Sequence, residues 1–184
     1  GKSVIKEEVL VLDAEAMKDV IYLMPCPKSP HGVDIDPTGE YIVGSGKLAA
    51  LIPVFSFDKM VKAIGKKDFE GDYEGIPVLK YNSVLHGEVQ KPGLGPLHTE
   101  FDGKGNAYTT FFVSSEVVKW DIKTLKVLDR VPTYYSVGHL MIPGGDSKKP
   151  FGKYLVAYNK ITKDRYLPTG PELTQSAQLY DISG

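Results

Sequence analysis

Short apolar runs alternate along the chain with turns that contain glycine, proline or aspartate. The runs are rich in β-branched and aromatic residues, which favours strands over helices. The clearest runs are residues 9–12, 41–43, 117–120 and 154–158, and the clearest turns are residues 36–39, 102–105 and 143–146. Many short strands with regularly placed turns predict an all-β fold, which is a sandwich, a barrel or a propeller.

One stretch departs from this strand pattern. Met60, Val61 and Ile64 give residues 58–64 an apolar side at helical spacing, and Ser56 is a suitable N-cap residue. We therefore predict a helix from about Asp58 to Ile64. The charged, glycine-containing residues 65–75 that follow predict an exposed loop.

An internal repeat narrows the choice of fold. His31 and Tyr41 have the same separation as His98 and Tyr108, and an Asp- and Gly-containing turn lies between the two residues in both cases. A third copy starts at His139, where a polar insert lengthens the turn. Repeats of roughly 40 to 50 residues are typical of propeller blades, so the longer first unit carries an insertion, for which residues 58–75 are the candidate.

The repeat predicts a partial β-propeller over residues 1–184, with about three blades and part of a blade in front of them. The run at residues 9–12 followed by Asp13 resembles the strands that end at Asp121 and Asp181. Complete propellers usually have about 4 to 8 blades. We therefore expect either a fragment of a longer polypeptide or a unit that pairs with a second chain.

His31, His98 and His139 are the candidate site residues because they occupy the same place in three units. The first strand of each blade lines the central channel, so a residue repeated there forms part of a ring. Converging imidazoles suit copper, zinc, iron or nickel, and the other nitrogen of each ring needs a partner of its own. His86 lies outside the repeat and is predicted to be a surface or loop residue.

Composition excludes several other classes of protein. The chain is 42% hydrophobic and 24% charged, with a net charge of −1, and its basic residues are scattered. This argues against a nucleic-acid binder, and no apolar run is long enough for a membrane helix. No signal-peptide pattern is visible. Cys26 is the only cysteine, so the chain forms no internal disulfide, and we interpret it as a small core residue.

Three longer strings resemble nitrous oxide reductase, and the similarity extends over nearly the whole chain. They are CPKSPHG from Cys26, GPLHTEFDGKGNAYTT from Gly95 and KITKDRYLPTGP from Lys160. The resemblance implies a seven-bladed propeller with a C-terminal cupredoxin domain. It also implies a four-copper, sulfide-bridged cluster on seven histidines, which reduces nitrous oxide to dinitrogen and water with two electrons and two protons.

The resemblance assigns roles to four residues of this chain. His31, His98 and His139 match three of the seven copper ligands. Lys160 matches a lysine near the open edge of the cluster, where its ammonium stabilises negative charge on the substrate oxygen and acts as a catalytic residue. The remaining ligands and the cupredoxin domain must then come from outside this chain, as must an electron donor such as a cytochrome c or a cupredoxin. A homodimer in the periplasm is the assembly and location that the resemblance implies.

The chain departs from the family in ways that leave calcium binding and activity open. The adjacent histidine pair, the last ligand histidine and the cysteine-containing two-copper motif are absent. Ser29 and Gln175 stand where part of the family has an asparagine that helps to bind calcium and a glutamate, and Glu172 could substitute for the latter. A second hypothesis therefore stays open, in which the chain is a non-catalytic propeller piece that serves as a binding or assembly module.

Overall fold

The structure is a computed structural model that describes residues 3–6, 9–13, 15–17, 20–159 and 176–184. Its residues divide into two compact units. The first unit comprises residues 1–25 and 58–85, and the second comprises residues 26–57 and 86–184. The three candidate histidines all lie in the second unit.

The second unit consists of three antiparallel sheets that follow one another along the chain. The first sheet contains β3 (Pro30–Ile35), β4 (Tyr41–Gly46), β5 (Leu51–Ser56) and β8 (Leu85–Gln90), in that order. The second contains β9 (Pro96–Phe101), β10 (Asn106–Phe111), β11 (Glu116–Asp121) and β12 (Val127–Pro132). The third contains β13 (Val137–Met141), β14 (Tyr154–Asn159) and β15 (Ala177–Asp181). Each sheet adds its strands in sequence order, as propeller blades do, so the all-β partial-propeller prediction is confirmed.

Two hydrophobic clusters fill the spaces between the three sheets, and the middle sheet contributes to both. The cluster between the first and second sheets contains Val43, Ile52, Val54, Val89, Phe101, Ala107, Phe111, Val118, Trp120 and Ile122. The cluster between the second and third contains Tyr108, Val117, Val137, Leu140, Ile142, Leu155 and Ala157. Because side chains alternate along a strand, Ala107 and Phe111 face one cluster while Tyr108 faces the other. Each large side chain fully buried in this way contributes roughly 1.5 to 3 kcal/mol.

The first unit contains the insertion that the sequence predicts. Its elements are the hairpin of β1 (Ser3–Lys6) and β2 (Val9–Leu12), helix α1 (Phe57–Lys66), the hairpin of β6 (Phe69–Tyr73) and β7 (Ile76–Leu79), and the short helix α2 (Tyr81–Val84). Helix α1 starts one residue earlier and ends two residues later than predicted. The loop prediction for residues 65–75 is wrong, because β6 and the turn of its hairpin occupy most of that stretch. The glycines and charges there are typical of an exposed two-stranded ribbon as well as of a loop.

Among the residues that the structure describes, no helix combines the length and the apolar character needed to cross a membrane. Cys26 is partly buried, and burial raises the pKa of its thiol. The thiolate is therefore disfavoured, which agrees with the interpretation of Cys26 as an apolar packing residue.

Candidate metal centre

The three repeated histidines lie side by side, although they come from three different sheets. The ring centroids of His31 and His98 are 5.0 Å apart, with an interplanar angle of 76°. Those of His98 and His139 are 4.3 Å apart, and these two rings stack at 21°. His98 is partly buried between its two neighbours, whereas His31 and His139 are exposed. The structure therefore gathers three imidazoles into one cluster with an open side.

A bulge in the innermost strand of each sheet lies at the histidine. In all three places the histidine strand contains one more residue than the segment of the neighbouring strand with which it pairs. The paired segments are 30–33 against 44–46, 96–99 against 109–111, and 137–140 against 157–159. A bulge bends the strand and changes the direction of nearby side chains, and bulges are frequent next to functional sites. The three histidine strands thus share a local irregularity at the position of the histidines.

Aspartate turns close the far ends of the first two histidine strands. Asp36 accepts hydrogen bonds from the backbone N–H of Thr38 and of Tyr41, and Asp102 accepts them from Lys104 and Asn106. These Asp side chains hold their own turns, as Asp does in Asx turns. Tyr41 is therefore the counterpart of Asn106 rather than of Tyr108. The tyrosines of the sequence repeat are not structurally equivalent, because the two turns differ in length.

Three carboxyl groups, those of Asp34, Glu100 and Asp146, lie close together beside the histidine strands. Burial, together with the charges of Asp146 and Asp34, raises the pKa of the Glu100 carboxyl to about 8. Burial also raises the pKa of Asp34 to about 6, and the charge of Asp146 adds to this, while a hydrogen bond from the backbone N–H of Thr99 opposes it. The Glu100 side chain is only 7% exposed, and its Oε2 has no hydrogen-bond partner among the described residues. A Cβ on Gly145 would lie 1.7 Å from that oxygen, so the turn after β13 passes directly over the carboxyl.

We expect Glu100 to make the folded chain less stable as the pH rises from about 5 to 8. In this range the unfolded chain has released the proton and the folded chain still holds it, so the free energy of unfolding falls with rising pH. The fall should be on the order of 3 kcal/mol, because one pKa unit corresponds to about 1.4 kcal/mol. Urea unfolding without added metal, followed by the fluorescence of the single tryptophan Trp120, measures it.

Glu100→Gln provides the matched control for this pH dependence. The amide has nearly the same shape but does not ionise, so the variant should keep only the decline due to Asp34 and level off above about pH 6. Identical profiles for the two proteins between pH 6 and 8 would show that Glu100 does not hold its proton.

The other residues singled out in the sequence fall into two groups. Lys160, Glu172 and Gln175 lie outside the described residues. Ser29 is described and adopts a left-handed backbone conformation, with φ of 61°. His86 lies in β8 rather than in a loop, and its ring lies 4.7 Å from that of Tyr41, with Nε2 3.3 Å from the carbonyl oxygen of Lys123. Pairing with β5 accounts for this placement, so the loop alternative for His86 is wrong.

The donor atoms of the histidine cluster do not yet converge on one point. Within the described ranges, no group of three or more His, Cys, Asp or Glu side chains encloses a position for a metal ion. The lone pairs of an imidazole lie in the ring plane, and the rings of His98 and His139 lie in nearly parallel planes, at 21° to each other. Two stacked imidazoles can ligate two neighbouring metals more readily than they can share one.

Four further residues lie next to the histidines and were not predicted from the sequence, namely Gly32, Asp34, Glu100 and Thr110. Gly32, Glu100 and Thr110 lie inside the strings quoted above, but nothing in a single sequence distinguishes them from their neighbours. The one feature that could have indicated them in the sequence is their position close to a repeated histidine or on the strand that follows it.

Three consecutive blades and a histidine cluster at their innermost strands define a segment of a β-propeller. The segment is similar to nitrous oxide reductase: residues 130–184 match the nitrous oxide reductase propeller repeat. Nitrous-oxide reductase of Stutzerimonas stutzeri is 37% identical over 171 residues, and that of Cupriavidus necator is 39% identical over 169 residues. The alignments cover 88% and 86% of this chain. The resemblance seen in the sequence is thereby confirmed.

The match concerns only part of each relative. The chain spans 25% of the length of both of these nitrous-oxide reductases. Among solved structures, hydrazine synthase of Kuenenia stuttgartiensis superposes with a TM-score of 0.56 over 84% of this chain and 34% of its own. Its sequence identity is 14%, so this likeness concerns the fold alone.

Proposed function

We propose that this chain is the part of a nitrous-oxide reductase that supplies His31, His98 and His139 as ligands to a copper–sulfide cluster. The complete enzyme reduces nitrous oxide to dinitrogen and water, with uptake of two electrons and two protons. The observation that carries the proposal is the contact of three imidazoles from three blades, at 5.0 and 4.3 Å between ring centroids. The similarity of most of this chain to proteins named nitrous-oxide reductase also supports the proposal.

The donor set fits copper, and its arrangement fits a cluster. Neutral imidazole is a good ligand for copper, and no thiolate is required. The nearly parallel rings of His98 and His139 are suited to adjacent metal ions. His31 and His139 are exposed, so the open side of the cluster is available to the four further histidines that must come from elsewhere in the enzyme.

The residues of this chain would hold and orient a copper cluster, which when bound would supply electrons to the substrate. The bulged strands direct the imidazoles, and the buried rings of the two hydrophobic clusters keep the three blades in register. Lys160 is the proposed catalytic residue, whose ammonium stabilises the negative charge that develops on the departing oxygen. Its assignment rests on the sequence string that starts at Lys160.

The rest of the enzyme completes the proposal. Further blades, a cupredoxin domain and an external electron donor such as a cytochrome c or a cupredoxin are the proposed partners, within a periplasmic homodimer. β15 is the outer strand of the third described sheet, and Leu179 on it is 65% exposed. A strand edge readily pairs with another strand, so β15 can receive a fourth strand of the kind that the other two described sheets have.

The proposal is tested by comparing the 184-residue chain with a complete reductase that contains it. Nitrous oxide consumption is measured with reduced viologen, and copper is quantified in the same samples. The complete protein should bind copper and turn over, whereas the chain alone should show no turnover, because it has three of the seven ligands and no electron-entry domain. Robust turnover by the chain alone, or a complete protein that is active without copper, would overturn the proposal.

A further inference from the structure

The backbones of the three histidine strands touch one another at specific residues beside the rings. Gly32 follows His31 in β3 and lies against the carbonyl of Leu97 in β9. A Cβ at position 32 would be 1.9 Å from the Leu97 oxygen and 3.4 Å from Nδ1 of His98. No L side chain fits there, because nonbonded atoms of this kind pack at roughly 3.5 Å. Glycine therefore lets β3 approach β9 closely at the position of the first two histidines.

A hydrogen bond two residues further along holds the same pair of strands. The carboxylate of Asp34 accepts a hydrogen bond from the backbone N–H of Thr99, at 2.8 Å. Both contacts join residues that are 65 positions apart, so the same alignment of β3 along β9 satisfies the two of them. The two contacts lie on either side of His98. The backbones that carry His31 and His98 are thus fixed relative to each other.

Thr110 connects His98 to the third blade. Its hydroxyl donates a hydrogen bond to the carbonyl oxygen of Gly138, at 2.6 Å, and accepts a longer one from the backbone N–H of His98, at 3.4 Å. Gly138 immediately precedes His139. Thr110 is fully buried and belongs to the segment of β10 that faces the bulge of β9. One hydroxyl therefore bridges the backbones of the second and third histidines.

We infer that Gly32 and Thr110 are positioning residues that set the spacing of the three imidazoles for metal binding. Gly32, assisted by Asp34, determines how far His31 lies from His98, and Thr110 determines how far His98 lies from His139. Neither residue offers a ligand atom in this arrangement. The inference rests on the proposed function, since it concerns the same histidines. A site of this kind tolerates displacement of its ligands by only about 0.5 Å, so these contacts matter for affinity.

Substitution of Gly32 and substitution of Thr110 should each displace a different pair of imidazole rings. Gly32→Ala should move the ring of His31 away from that of His98 by roughly 1 Å and leave the pair His98 and His139 in contact. Thr110→Val keeps the shape but removes the hydroxyl, so it should loosen the second pair and spare the first. Each change should weaken copper binding by about 10- to 100-fold, as loss of a ligand's supporting partner does. Thr110→Ser restores the hydroxyl and should restore binding.

The experiment uses the complete reductase and has two readouts. Copper affinity and the visible absorption of the copper-loaded protein report on the site, and crystal structures of the metal-free variants report the two ring separations. Gly65→Ala is the matched glycine control, because a Cβ there meets nothing within 4 Å. For the Asp34 contact, Asp34→Asn keeps an acceptor for the Thr99 N–H while Asp34→Ala does not, so only the latter should widen the first pair.

The outcomes separate this inference from the proposed function. If the wild-type protein binds no copper, the proposed function fails, and the metal-free ring separations still decide whether Gly32 and Thr110 position the histidines. Normal separations and normal copper affinity in both Gly32→Ala and Thr110→Val would overturn the inference. A uniform loss of stability with both pairs displaced equally in each variant would also overturn it. If Gly32→Ala does not fold, the comparison of Thr110→Val with Thr110→Ser carries the test.

Discussion

Replacing His98 with alanine should remove copper from the complete reductase more effectively than any other single change in this chain. His98 is the central member of the cluster, with His31 on one side at 5.0 Å and His139 on the other at 4.3 Å. Loss of a residue that merely supports a ligand costs about 10- to 100-fold in metal affinity, so loss of the ligand itself should cost at least about 100-fold. Copper per chain, measured after gel filtration, should fall, and nitrous oxide reduction should fall with it.

Lys160→Ala is the contrasting variant in the same protein. The proposed role of Lys160 is to stabilise charge on the substrate, so this variant should keep its copper while its turnover rate declines. Full copper content together with full activity in His98→Ala would refute the ligand assignment. Loss of copper in Lys160→Ala would refute the proposed division of roles between the two residues.

Trp120→Ala should destabilise the chain by about 5 kcal/mol. Truncation of a buried tryptophan costs about 3 to 5 kcal/mol through lost burial and the cavity left behind. Trp120 is fully buried in the cluster between the first two sheets, and its Nε1–H donates to the Thr109 hydroxyl at 2.9 Å. The Thr109 hydroxyl in turn contacts that of Thr99, at 2.8 Å, next to His98. Removal of the Trp120 side chain in β11 should therefore also weaken the hydrogen bonds that hold β9, the strand that carries His98.

Two control variants separate the contributions to that loss. Trp120→Phe keeps most of the apolar volume and removes the hydrogen bond, so it should cost about 1 to 3 kcal/mol. Leu128→Ala in β12, where the side chain is 53% exposed, should change the stability by less than about 0.5 kcal/mol. Urea unfolding followed by circular dichroism compares all four proteins. A cost below about 2 kcal/mol for Trp120→Ala would show that this core repacks readily around the cavity.

The sequence predicted the blades well because their determinants are local. Strand composition and turn residues repeat in each unit, and Asp36 and Asp102 hold their own turns without help from distant residues. The grouping of His31, His98 and His139 could also be anticipated, since each was predicted to lie on the first strand of a blade, although the tyrosines of the same repeat are not structurally equivalent. Helix α1 was predicted for the same reason, from the periodicity of its own apolar residues.

The contacts between blades could not be predicted from the sequence. The close approach of Gly32 to Leu97 and the bridge from Thr110 to Gly138 depend on how neighbouring sheets pack, which no local pattern encodes. The hairpin of β6 and β7 was missed because its glycines and charges also suit a loop. The buried Glu100 was missed because a carboxylate in a strand normally faces solvent, and the turn at Gly145 that passes over it is distant in sequence.

The position of the insertion has an evolutionary consequence. α1, β6, β7 and α2 enter the chain between β5 and β8, and in sheet order β4 and β5 separate this entry point from the histidine strand β3. Residues added there lengthen a connection between the third and fourth strands of a blade and leave the histidine strand unchanged. Descendants of such a propeller can acquire, exchange or lose inserted subdomains while selection on the histidine strands continues undisturbed. Divergence in length should therefore accumulate at connections of this kind, which join strands other than the histidine strand.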